Sequence, residues 1–269
     1  VSTIVFLHAH PDDEATATAG SQILASRAGH RVVVVYGTNG DHGEGSEHLP
    51  EGVTLVEHRR GEAEASAAIT GTARVAWLGY ADSGMTGWEQ NHAPGAFHAA
   101  DLDEAAGRLA AILDEEDADV LVGYDWHGNY GHPDHVKVHH VAHRAAELAA
   151  RRPRLLESTS NRDHMRVLFA MAKEMGMAGD GDDQDTWDID GPADDGNPFG
   201  TPEAEIHWRT DVSAVIDDKR AALSCHASQT SDAGMMLAMP PEAFAAGFGH
   251  EFYIEPGLEP GMRDGLPFA

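Results

Sequence analysis

The chain has 269 residues with a hydrophobic fraction of 42%, enough to bury the core of one large α/β domain. Its formal net charge is −27 at pH 7, a field that repels nucleic acid and anionic membrane and excludes both as partners. The single cysteine, Cys225, allows no internal disulfide, no apolar stretch approaches a membrane span, and no signal-type segment precedes the first apolar run, so a cytoplasmic protein is expected.

The chain begins VSTIVFLHAHPDDE. Its apolar run from Thr3 to Leu7 reads as a buried parallel strand leaving a sheet, and Pro11, without an N–H, stops the strand and turns the chain. Four ionisable groups then crowd into His10 to Glu14, a poor core because unpaired buried charge is costly, but a good surrounding for a cation. Thr16 to Gly29 is expected to be a helix, with Gly20 its one interior glycine for close packing. Arg31 to Tyr36 (RVVVVY) is a second buried strand, followed by a Gly-, Asp- and His-rich loop from Gly37 to Gly52 in which His42 and His48 read as surface residues. A helix over Glu57 to Ile69, a strand over Arg74 to Leu78, and a loop carrying DSGMTGW from Tyr80 to Pro94 come next. Leu102 to Glu116 is an amphipathic helix, and Asp119 to Tyr124 a fourth strand.

A second polar packet, DWHGNYGHPD, leaves that strand at Asp125, ahead of a helix from Val136 to Ala150. Arg154 to Ser158 is a strand and Arg162 to Met175 a helix. Ala178 to Gly200 lacks periodicity and is expected to be a mobile acidic loop. Its spacing fails the calcium-loop pattern, with Thr186 and Asn197 at positions that need carboxylates. Ile206 to Val212 and Val215 to Ala227 complete the reading as a strand and a helix. The β-α alternation predicts a Rossmann-like three-layer α/β/α fold with a mostly parallel sheet, in a single domain spanning residues 1–269. No G-x-G-x-x-G turn follows the first strand, which argues against a nucleotide-binding module.

In a parallel sheet the carboxyl ends of the strands share one edge, so the two packets can meet there. Imidazole and carboxylate suit a divalent cation, and a catalytic zinc takes three protein ligands and keeps a position open. His10, Asp13 and His135 can supply such a His₂Asp set, and Asp12 can accept a proton from a water that the metal activates. His139 and His143, one and two helical turns beyond His135, are the rivals, as an i,i+4 pair with no acidic neighbour in sequence. With eighteen histidines present, only spacing and company make one informative. His8, two residues before His10, reads as a core or supporting histidine.

The stretch His10-Pro11-Asp12-Asp13-Glu14 with His132-Pro133-Asp134-His135 resembles the PIG-L/LmbE-like zinc N-acetylglucosaminyl deacetylase superfamily. The resemblance extends to Arg59 through Glu62, to Asp82-Ser83-Gly84-Met85, and to Lys219 with His226-Ala227-Ser228-Gln229. It is closest to the actinobacterial branch that deacetylates glucosaminyl-inositol or cleaves mycothiol conjugates. By position it implies His10, Asp13 and His135 as zinc ligands and Asp12 as general base. His132 would protonate or stabilise the tetrahedral intermediate, Tyr130 would polarise the carbonyl, and Asp134 would orient a catalytic histidine. Arg59, Asp82, Met85 and His226 would bind substrate, although for Arg59 the adjacent Arg60 and for His226 a plain helix-end role stay open.

The expected reaction is amide hydrolysis on an amino-sugar conjugate, with a mycothiol S-conjugate amidase as the alternative and a non-catalytic metal-binding protein as the remote one. Iron(II) and other divalent metals share such sites with zinc. Assembly into a homo-oligomer stays open.

Overall fold

The computed structural model describes residues 1–45, 49–174, 188–231 and 233–268. In chain order these give β1 (Thr3–His8), α1 (Asp13–Ala17), α2 (Ala19–Arg27), β2 (Arg31–Thr38), α3 (Leu55–Thr70), β3 (Arg74–Tyr80), α4 (Leu102–Glu115), β4 (Val120–Tyr124) and α5 (Pro133–Leu148). They continue with β5 (Arg154–Thr159), α6 (Arg162–Glu174), β6 (Trp208–Asp211), α7 (Ile216–Ser224), α8 (Ala233–Leu237), α9 (Pro241–Phe248), β7 (His250–Ile254) and β8 (Arg263–Asp264). His48 and residues 178–187 lie outside the described residues.

The strands form one sheet in the order β3-β2-β1-β4-β5-β7-β6-β8. The first five are mutually parallel, while β7 runs antiparallel to both β5 and β6. The continuous apolar runs of β1 and β2 are explained by burial on both faces. Val5, Leu7, Val33 and Val35 pack with Leu109 of α4 and Val138 and Val141 of α5. Ile4, Phe6, Val32 and Val34 face the other way, toward Ala25 of α2, Ala63 of α3 and Phe268. The expected three-layer fold is what the chain adopts.

Local chemistry explains most departures from the sequence reading. The helix expected over Thr16 to Gly29 is two helices, broken at Thr18 (φ −140°), whose hydroxyl lies 3.0 Å from His8 Nε2. Gly20 is required by close approach: a Cβ there would stand 2.5 Å from Val212 Cβ. α3 starts earlier than expected because Thr54 and Glu57 form a capping box. α5 likewise starts at Pro133, with His132 as its N-cap, since proline at the first helical position costs no hydrogen bond. The sequence reading placed no element at α8, α9, β7 or β8. Among the described residues no helix is long and apolar enough to cross a membrane.

Candidate active site

β1 and β4 pair directly, and the strand order reverses between them: β2 and β3 lie beyond β1, β5 beyond β4. A crevice at the carboxyl ends of such a pair is where open α/β sheets bind ligands. The first packet leaves β1 into α1, and the second leaves β4 into α5, so the fold brings both to this crevice.

Asp13 joins them. Its Oδ2 accepts from the His10 N–H (2.8 Å) and lies 3.5 Å from His10 Nδ1, while its Oδ1 lies 3.5 Å from His135 Nε2. His10 and His135 are each tethered through the opposite ring nitrogen. His10 Nε2 lies 3.2 Å from Asp134 Oδ2, and His135 Nδ1 lies 3.3 Å from the Gly128 carbonyl. Ligating histidines are oriented in this way, by a carboxylate or carbonyl on the far nitrogen. His135 Nε2 is buried without a hydrogen-bond partner. Two nitrogens and a carboxylate with such an orphaned atom fit a divalent cation.

The electrostatics agree. Burial pulls the His10 pKa down, yet Asp82, Asp13 and Asp134 together hold it well above the ordinary value. Burial pushes Asp13 up, but His135 and His10 hold it well below the usual carboxylate range. Three carboxylates therefore favour positive charge at the centre, and a cation can take the place of the proton on His10.

His132 also lies close, with one nitrogen within 4.8 Å of a nitrogen of His10 and of His135. Its Nδ1 accepts from the Asp134 N–H at 3.2 Å, so the neutral ring carries its proton on Nε2. Burial and the neighbouring imidazoles lower its pKa to about 3. Tyr130 stands with its ring 6.1 Å from that of His132 and 5.0 Å from that of His135.

Asp12 has φ 126°, a left-handed backbone that a non-glycine residue adopts at a cost of about 1–3 kcal/mol. Burial raises its pKa to about 7 against the opposing pull of Arg59, whose Nη2 lies 3.3 Å from Asp12 Oδ2. Arg59 also donates to the carbonyls of Pro11 and of Gly40 (2.8 Å). Only 2% of Arg59 is exposed, and it braces the packet from within by its grip on Asp12. Arg60 sits over the Trp77 ring instead.

Asp82 Oδ1 is 3.5 Å from His10 Nε2 and accepts from the Gly84 N–H at 2.8 Å. Met85 is 42% exposed beside it in sequence. His226 is 0% exposed, with Nε2 2.7 Å from Glu14 Oε1. Glu14 also accepts from the Ser66 hydroxyl (2.7 Å). Burial works against its charge, but His226 and Ser66 hold its pKa at about 2. His8, as expected, is a supporting histidine, 2.9 Å from the Tyr124 hydroxyl.

Two supports carried no assigned role in sequence. Ser83 holds Asp134 through its N–H (2.9 Å) and hydroxyl (2.5 Å). Glu62 accepts from the N–H (2.8 Å) and hydroxyl (2.7 Å) of Ser228. Both lie inside the motifs that carried the family resemblance, which was the only signal for them. Of the acidic insertion, residues 188–200 run along the second packet: Asp194 N–H donates to Tyr130 O (3.0 Å) and Gly200 N–H to Asn129 O (2.7 Å).

A family model described as PIG-L, GlcNAc-PI de-N-acetylase, matches residues 5–146. The 1D-myo-inositol 2-acetamido-2-deoxy-alpha-D-glucopyranoside deacetylase of Acidothermus cellulolyticus is 33% identical over 94% of this chain and 88% of its own length. The protein of the same description from a Mycobacterium species is 35% identical over 98% of this chain and 86% of its own. Among solved structures, the A40926 pseudoaglycone deacetylase superposes with a TM-score of 0.61 at 14% identity, covering 94% of this chain and 96% of that one. That likeness is one of fold.

Proposed function

We propose a function from one premise: this chain belongs to the PIG-L family, described as GlcNAc-PI de-N-acetylase. The protein is a metal-dependent hydrolase that removes the N-acetyl group from an amino-sugar conjugate. Its substrate is 1D-myo-inositol 2-acetamido-2-deoxy-α-D-glucopyranoside, the compound for which its relatives are named. The reading rests above all on Asp13, whose two oxygens each lie 3.5 Å from a ring nitrogen, one of His10 and one of His135.

His10, Asp13 and His135 would hold the cation, and their borderline N/N/O donor set suits zinc, with iron(II) chemically close. Lewis-acid polarisation of the amide carbonyl and of the attacking water is what a divalent cation supplies when bound there. Asp12 takes the proton from the attacking water. Its raised affinity for protons suits that task, and Arg59 fixes its carboxylate at 3.3 Å. His132, neutral and with Nε2–H outward from its bond to Asp134, donates to the oxygen on which negative charge develops. Tyr130 stands beside it for the same carbonyl. Asp134 keeps the His10 ring oriented, while Asp82, buried beside His10, and the exposed Met85 receive the sugar. The amine leaves with the proton that Asp12 gathered.

The test is release of acetate and free amine from that substrate by zinc-replete protein. Turnover is expected, with loss on chelation and recovery on zinc addition. A zinc-replete sample that releases neither product from this substrate or from N-acetylglucosaminyl analogues overturns the reading.

A further inference from the structure

We propose, on the reading of Asp12 as the base, that His226 is a positioning residue: through Glu14 it holds the peptide from which Asp12 projects. The φ of Asp12 is 126°, and a backbone of this kind persists only where its surroundings over-determine it. The Pro11–Asp12 peptide is clamped at both ends. Its carbonyl accepts from Arg59 Nη2, and its N–H donates to Glu14 Oε2 at 3.0 Å. The carbonyl of Asp12 in turn accepts from the N–H groups of Ala15 (3.0 Å) and Thr16 (3.3 Å), which ties it into α1. With the peptides on both sides held, rotation about the Asp12 N–Cα bond would break one of these bonds.

Glu14 serves this clamp only while its own carboxylate stays in place. The residue is buried, and Oε1 receives two donors, His226 Nε2 and the Ser66 hydroxyl, each at 2.7 Å. The Tyr36 hydroxyl bonds the same carboxylate. Of these three only His226 can carry positive charge, and it is the one ion-pair partner of Glu14 among the described residues. A buried carboxylate stripped of such a partner is left under-compensated. Glu14 would then turn to another donor, and the Asp12 N–H would lose its acceptor.

His226 is itself anchored just beyond α7. Its carbonyl accepts from the Gln229 N–H at 3.1 Å, and Ser228, two residues on, is fastened to Glu62 of α3. Its other ring nitrogen, Nδ1, is buried with no hydrogen-bond partner, so Glu14 is all that the ring holds. Arg59 and Ser66 also belong to α3. That helix therefore reaches Asp12 by two arms, one direct through Arg59 and one through Glu14, and His226 closes the second.

The experiment measures kcat, KM and bound zinc for His226→Phe and His226→Gln, in the native chain and in Asp12→Asn, on the substrate proposed above. In the native background kcat of folded His226→Phe should fall about 10–100-fold, with KM and bound zinc unmoved. His226→Gln, whose amide can donate to Glu14 Oε1, should recover kcat to within about threefold. In Asp12→Asn, His226→Phe should cost nothing further, because the group it positions is gone. Equal losses in both backgrounds, a native kcat or lost zinc in His226→Phe, or a Gln variant as slow as the Phe variant overturns the proposal. Should His226→Phe not fold, His226→Asn, with an amide too short to reach Glu14, takes its place. Full activity in Asp12→Asn sinks the reading of Asp12 as base and this proposal with it. Full activity in His226→Phe beside a slow Asp12→Asn sinks the positioning role alone.

Discussion

Two regions of this molecule bury charge to a similar depth and end in opposite states. Under α2, Lys219 Nζ lies 2.6 Å from Glu251 Oε1, and the same carboxylate accepts from the N–H groups of Gly20 (2.9 Å) and Ser21 (2.8 Å) and from the Tyr253 hydroxyl (3.2 Å). Every lone pair in reach is used. At the β1–β4 crevice, His135 Nε2 and Arg59 Nε are buried with no hydrogen-bond partner, three imidazoles crowd together with centroids 4.9–5.4 Å apart, and Asp12 is held at a strained φ. A fully satisfied buried pair is scaffold. Unsatisfied buried groups beside a crevice are ones that a bound ligand can complete.

That contrast can be broken by substitution, beginning with the largest effect. Asp12→Asn keeps the shape and tolerates a positive φ, but cannot take a proton. kcat should fall by about 10²–10⁴ while bound zinc and KM hold, and unchanged turnover in steady-state assays would remove Asp12 from the chemistry. Lys219→Met acts on the other region. It strands the Glu251 carboxylate and should cost about 3–5 kcal/mol of stability in urea unfolding, with the KM of the folded enzyme unaltered; a loss below about 1 kcal/mol would show the pair is not needed. Ser83→Ala sharpens the comparison most gently. It releases Asp134, the carboxylate behind His10, and should weaken zinc affinity by about 10–100-fold in competition with a chelator, while global stability moves little.

The crevice was legible in the sequence to the extent that its chemistry is local. His10, Asp12 and Asp13 stand within four residues after an apolar run, and His132, Asp134 and His135 repeat the pattern after another. Strand-end position follows from the run itself, so their convergence follows once the sheet is parallel. α5 begins at Pro133 rather than at the expected Val136, because proline fits the first helical position. The partners of Arg59 and His226 were not legible in the same way: a sequence shows that a charge lies near a motif, but not which side of the backbone it occupies, and both side chains are buried behind the packet.

What the residue order determined alone is the alternation of apolar runs and helices, and the two polar packets that close β1 and β4, because these depend on neighbours a few positions apart. Tertiary structure decided the rest. Glu14 meets His226 across 212 positions and Lys219 meets Glu251 across 32, while Glu157 meets His143 only because α5 packs over β5. A buried charge selects its partner by proximity and desolvation, and proximity exists only after the strands have taken their order in the sheet.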